Sequence, residues 1–180
     1  MDPNGAAPNQ PRRIVGICGS LQAASSNLTL LHRAGQLTEE MFNGTATFQL
    51  FDGLRDLPLF DLDIERDGPP PKAVTALRAA LTGADALLIA SPEYGHSLPG
   101  ALKNAIDWVI GSGELEGKVV GVTAAVLHEA RGQRGLAALL GTLAAVRARI
   151  VGGTGTVVGA DFDDQLRALL SGLVEAASTA

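Results

Sequence analysis

Two hydrophobic rhythms alternate along this chain. Short runs with almost no polar break stand at 14–18 (IVGIC), 86–90 (ALLIA) and 118–124 (KVVGVTA). Such runs read as strands buried on both faces, as in a parallel sheet. Between them, apolar residues recur every third or fourth position: Leu30, Ala34, Leu37 and Met41; Val74, Leu77, Leu81 and Ala84; Leu102, Ile106 and Val109; Leu136, Leu140 and Leu143; Leu166, Leu170, Leu173 and Ala177. That spacing predicts five helices, each with one apolar stripe to lay on a sheet. Residues 45–51 alternate apolar with polar positions, as an edge strand does, and 149–159 read as a fifth strand. A long loop fills 52–71, carrying Leu57, Pro58, Leu59 and Phe60 and ending in three prolines.

Strands and helices in strict alternation predict an α/β protein, and this element list fits a flavodoxin-like doubly wound sheet. The expected strand order is 2-1-3-4-5, five parallel strands with helices on both faces. Domain organisation follows: 1–12, rich in Pro, Asn and Gly, read as a flexible tail without the marks of a targeting signal, and 13–180 read as one domain. With 46% hydrophobic and 18% charged residues the domain has enough apolar material for a core. A net charge of −5 without a Lys/Arg-rich run argues against nucleic acid or an anionic membrane as partner. No apolar stretch reaches the ~18 residues that span a bilayer. The single cysteine, Cys18, reads as a buried structural thiol and fits a reducing cytoplasm.

Candidate chemistry gathers in two loops. Residues 92–98 (PEYGHSL) follow the apolar run 86–90, at the carboxyl end of a strand, where open α/β sheets bind ligands. Pro92 stops the strand, Gly95 permits close backbone approach, and Tyr94, the only tyrosine, presents a ring with a polar tip. Pro99 suits the first turn of the following helix, with Ser97 placed to cap it. The plainer alternative is an ordinary strand-to-helix turn. Residues 19–29 (GSLQAASSNLT) open the first helix, and Ser20, Ser25, Ser26, Asn27 and Thr29 surround its amino end, where free amides and the dipole favour an anion. A turn that only caps its helix is the alternative here. No G-x-x-x-x-G-K-[ST] and no G-x-G-x-x-G in the first turn is present, so neither a P-loop nor a dinucleotide fingerprint is read.

Together these stretches resemble the NADPH-dependent FMN reductase family, which includes quinone, azo-dye and chromate reductases. The segment 91–108 (SPEYGHSLPGALKNAIDW) is similar to the family's P-E-Y-N-x-S-x-P-G-x-L-K-N-x-x-D-W. Residues 19–27 (GSLQAASSN) resemble its G-S-x-R-x-x-S-x-N loop, 56–61 (DLPLFD) its next shared element, and 128–133 (HEARGQ) loosely its third flavin-side loop. The resemblance implies an enzyme with FMN as cofactor and NADPH as reductant, working by ping-pong hydride transfer to a small acceptor: free flavin, a quinone, an azo compound or a metal oxyanion. It implies that Ser20, Gln22, Ser25, Ser26 and Asn27 lie at the flavin phosphate, and that Pro92, Glu93, Tyr94, Gly95, His96 and Ser97 lie along the ring and ribityl chain. His128 and Arg131 are candidates for substrate contact, with Arg134 beside them.

Two departures qualify the match. Gln22 and Leu28 stand where the family usually carries arginine, and Gly95-His96 stands where Asn-Gly is common. No catalytic side chain is named, because flavin and nicotinamide carry the hydride. His96 and His128 could both face the pocket, but no spacing places a third ligand, so no metal is read. A flavodoxin-type electron carrier and a flavin-poor binding module remain the alternatives. The family's members are commonly dimers or tetramers, and Leu57, Leu59, Phe60, Trp108 and Ile110 offer apolar surface for such a contact.

Overall fold

In the computed structural model, which describes residues 10–179, the chain order is β1 (Arg12–Cys18), α1 (Ser26–Phe42), β2 (Ala46–Phe51), α2 (Leu62–Arg66), α3 (Lys72–Thr82), β3 (Ala86–Ala90), α4 (Gly100–Ile110), β4 (Val119–Thr123), β5 (Ala125–Val126), α5 (Gln133–Ala145), β6 (Arg149–Gly152), β7 (Thr156–Val157) and α6 (Phe162–Ser178). The main sheet is parallel throughout, in the order β2-β1-β3-β4-β6. Counting only its own strands, that is 2-1-3-4-5, the doubly wound arrangement expected. All of β3 and β4 is buried, which explains their lack of polar breaks. Most of the segment 1–12 lies outside the described residues, and β1 already begins at Arg12, whose amide donates to Thr45 O.

Two apolar layers sandwich the sheet. One face packs Leu30, Leu31, Ala34 and Leu37 of α1 and Leu166, Leu170 and Leu173 of α6 against Ile14, Leu88 and Val119. The other packs α3, α4 and α5, through Val74, Leu77, Leu102, Ile106, Trp108, Leu136 and Leu139, against Val15, Leu87 and Val120. Because successive strand residues point to opposite faces, Leu87 and Leu88 enter different cores.

The structure corrects several expectations. The segment 149–159 is not one strand: Gly152 and Gly153 have φ of 77° and 123°, outside extended geometry, and split it into β6 and β7. The second piece pairs with β5 in a small separate sheet, locked by a 2.7 Å hydroxyl pair between Thr123 and Thr156. The loop 52–71 contains a 3₁₀ turn (Gly53–Asp56) and α2, so α-helices number six among the described residues rather than five. Asp61 caps α2 by accepting from the Asp63 amide, a local signal that the apolar periodicity does not register. Ala84 is buried but lies beyond the end of α3.

The apolar residues of that loop divide. Leu57 and Trp108 belong to the core, and Phe60 stands edge-on to Trp108 at 5.1 Å between ring centroids. Trp108 Nε1 and Asn104 Nδ2 both donate to Pro58 O, which pins the loop to α4. Leu59, Leu62, Ile64 and Ile110 are left exposed.

Candidate functional site

The carboxyl ends of β1, β3 and β4 deliver three loops to one edge of the sheet. A cavity of about 260 Å³ opens between them, lined by Asn27, Pro92, Glu93, residues 124–127, Arg131 and Gly132. Its position follows from the strand order, because crossovers leave the central strands in opposite directions here.

The first loop is held by its own side chains. Ser25 caps α1 by accepting from the Asn27 amide at 3.2 Å, and Ser20 Oγ accepts from the Gln22 amide at the same distance. Asn27 is buried and spends its Oδ1 on the Ala125 amide at 2.9 Å, which ties the start of α1 to β5. Gln22 and Ser26 are exposed. Among the described residues the amides of Ser26 and Leu28 have no hydrogen-bond partner, and α1 has no acidic residue in its first turn. The helix therefore presents an open, unneutralised positive end. Cys18 beneath it is only partly buried, with Sγ 3.9 Å from Ser25 Oγ, instead of the fully buried thiol expected.

The second loop is a tight turn held from afar. Tyr94 and Ser97 exchange both backbone hydrogen bonds at 3.0 Å, and the two residues between them, Gly95 and His96, have φ of 56° and 64°. Positive φ at both central positions marks a type I′ turn, the geometry for which Asn-Gly is the favoured pair. Gly95 adopts it without strain, whereas His96 carries a Cβ into the left-handed region. The amides of Gly95 and His96, at the tip, have no partner among the described residues. Tyr94 is half-exposed, and its hydroxyl lies 3.2 Å from Ser20 Oγ, so the two loops touch.

Glu93 anchors this turn. Its Oε2 accepts from the Gly135 amide at 2.9 Å, at the start of α5, and its Oε1 lies 3.1 Å from His96 Nδ1. The Gly135 amide first, and His96 second, hold the Glu93 carboxyl below its usual range. Gly135 permits the approach: a Cβ there would stand 2.9 Å from Glu93 Cα. The Glu93 carboxylate thus faces α5.

Other expectations need adjustment. Pro99 is the N-cap of α4, not its first helical residue, and Ser97 does not cap it, because its backbone is committed to the turn with Tyr94. Arg131 lines the central cavity, but His128 lines a separate one with Glu129 and Asp161, so the two histidines do not share a pocket. Arg134 donates its backbone amide toward Glu93. Sequence reasoning missed Leu127, exposed at the cavity's rim, and the pairing of Gly135 with Glu93; the glycine inside R-G-Q-R-G was the available signal for the second.

A family model described as NADPH-dependent FMN reductase matches residues 12–163. The chain is 40% identical over 104 residues to a probable NADPH:quinone oxidoreductase of Oryza sativa subsp. japonica, a match covering 58% of this chain and 50% of that one. It is 38% identical over 125 residues to an NAD(P)H-dependent FMN reductase of Pseudomonas aeruginosa, covering 69% and 63%. The chain thus spans about half the length of the first of these relatives. In fold it is similar to the flavoenzyme NAD(P)H:(acceptor) oxidoreductase FerB of Paracoccus denitrificans, with a TM-score of 0.79, 24% identity, and 93% and 98% of the two chains covered.

Proposed function

The chain belongs to the NADPH-dependent FMN reductase family, and from that premise we propose that it binds FMN across the first and second loops and reduces a small acceptor at the expense of NADPH. One observation carries the reading: the open positive end of α1 and the type I′ turn meet at one crevice, joined through Tyr94 and Ser20. The residues fit the group. The unpartnered amides of Ser26 and Leu28, with the hydroxyls of Ser20, Ser25 and Ser26, suit an anion, and the unpartnered amides of Gly95 and His96 suit the polar edge of a flat ring.

The chemistry supplied by bound FMN is hydride uptake from NADPH and electron delivery to the acceptor, the two half-reactions of a ping-pong cycle. The chain's own part is orientation. Pro92 and the Tyr94–Ser97 turn set the ring's edge, Tyr94 and Leu127 supply apolar cover, and the amides at the turn's tip favour negative charge beside them. Arg131, exposed at the crevice, is the candidate for the phosphates of NADPH. Small acceptors of the quinone, free-flavin, azo and metal-oxyanion classes suit an open crevice. The exposed Leu59, Leu62, Ile64 and Ile110 support a homodimer or homotetramer, the single cysteine supports a reducing, cytoplasmic setting, and the apolar content supports one domain over 13–180.

An absorbance spectrum with added FMN, followed by anaerobic NADPH, tests the reading. Flavin bands that shift on binding and bleach with NADPH are expected. No retention of FMN at micromolar concentrations overturns the enzyme in favour of a flavin-free binding module.

A further inference from the structure

The phosphate-facing loop has no cation of its own. Between Ile14 and His32 the sequence holds no lysine or arginine, so a dianionic phosphate at the start of α1 would rest on hydroxyls, amides and the dipole alone. A cation nevertheless reaches this loop from elsewhere. Arg55, in the 3₁₀ turn after β2, donates from Nη2 to Leu21 O. Arg55 lines a cavity of about 230 Å³ with Cys18, Ser20, Gln22, Leu28, Leu50 and Phe51. Gln22 and Leu28 are the two positions where the resembling family usually has arginine, and both border the space that Arg55 enters.

The guanidinium is held but not neutralised. Among the described residues it forms no ion pair, and the Leu21 carbonyl is its one hydrogen-bond acceptor. Most of its five N–H donors remain available. Asp52 shares the cavity without pairing with it. A planar donor fork anchored by one bond and open on its other edge suits a phosphate monoester, which accepts two parallel N–H bonds.

We infer that Arg55 is a phosphate-binding residue for the flavin, supplying across the β1–β2 edge the charge that the first loop lacks. This rests on the proposed FMN-binding reading. Among the described residues Arg55 hydrogen-bonds to neither the Tyr94–Ser97 turn nor Glu93, so its contribution is confined to the phosphate end.

Titration of intrinsic flavin fluorescence with the full chain tests this without turnover, using FMN and riboflavin, which differ only by the phosphate. Arg55→Gln is expected to weaken FMN about tenfold and to leave riboflavin unchanged, with a gap that narrows as salt is raised. Because Arg55 also holds Leu21, a second variant separates charge from loop geometry: Gln22→Arg in the Arg55→Gln background is expected to recover most of the FMN affinity. FMN affinity that survives Arg55→Gln overturns the assignment, as does a loss that Gln22→Arg leaves unrepaired, or a loss equal for both flavins. A loss confined to NADPH relative to NADH also overturns it, by moving Arg55 to the reductant's phosphate. Wild-type protein that binds neither flavin overturns the parent reading, an outcome distinct from all of these.

Discussion

The first and second loops both leave backbone amides without partners among the described residues, and they are organised by opposite means. Residues 19–25 are organised mostly by neighbours in sequence: Ser25 caps the helix it begins, and Ser20 folds back on Gln22. Residues 92–97 are organised by a partner more than forty positions away, because the Glu93 carboxylate is seated on the amide of Gly135. The first loop draws only secondary support from afar, from Arg55 on Leu21 O and Tyr94 beside Ser20. The distant one forms only when α5 has docked, so its shape reports on the packing of the whole sheet edge. Asn27, just beyond the local loop, reaches outside that regime, since its side chain satisfies the Ala125 amide on β5.

This contrast breaks most sharply at Gly135. Replacing it with valine puts side-chain atoms where Glu93 backbone now lies, and about 3 kcal/mol of destabilisation is expected, with the second loop displaced. Thermal denaturation reads the first effect and loss of ring binding, for riboflavin as well as FMN, reads the second. Unchanged binding of both flavins would show that the clamp does not shape the site.

Asn27→Ala is expected to cost about 2 kcal/mol, because it strips a buried amide of its acceptor. Denaturant unfolding measures it, and its effect should extend to hydrogen exchange at residues 124–126, at and just before β5. Ser25→Ala removes a purely local cap and is expected to cost about 1 kcal/mol, while exchange near Gly135 stays as in the wild type.

Glu93→Gln has the smallest expected effect at neutral pH and the most distinctive pH profile. The carboxyl is held below its usual range by Gly135 and His96, so its contribution is fully present above the ordinary carboxyl value of 4.5 and is lost as pH falls through the lowered value. Hydrogen-exchange protection around residues 132–137, taken relative to the intrinsic rate at each pH, should therefore be steady in the wild type from neutral to weakly acidic pH and fall only below that range. The glutamine variant should be less protected at neutral pH and lack that acid-side step. Parallel profiles for the two proteins would refute the clamp.

Much of the architecture was legible because it is written in local periodicity. The run 86–90 has the same limits as β3, since a strand buried on both faces tolerates no polar residue and a proline soon follows. The helical stripes of α1, α3, α4 and α6 were legible for the same reason, each needing one apolar face for one sheet. The Ser25 cap at the start of α1 was visible too, because capping residues act on amides two or three positions away.

Other features depend on contacts that no window of sequence contains. Gly152 and Gly153 could lie in a strand or interrupt one; the pairing of β5 with β7, and the Thr123–Thr156 hydroxyl bond, decide that they interrupt it. Leu57 and Leu59 are alike in sequence, yet one is buried and the other exposed, because Pro58 O is held between Asn104 and Trp108. Whether Glu93 faced a ligand or a helix was likewise undecided until α5 was in place. Local amphipathicity determined which segments become strands and helices, and local capping residues determined which helix start its own side chains hold. The tertiary structure alone decided which distant groups meet there, with Arg55 on Leu21 O, Tyr94 beside Ser20 and Asn27 on the Ala125 amide, because such contacts act through space between residues that the chain keeps far apart.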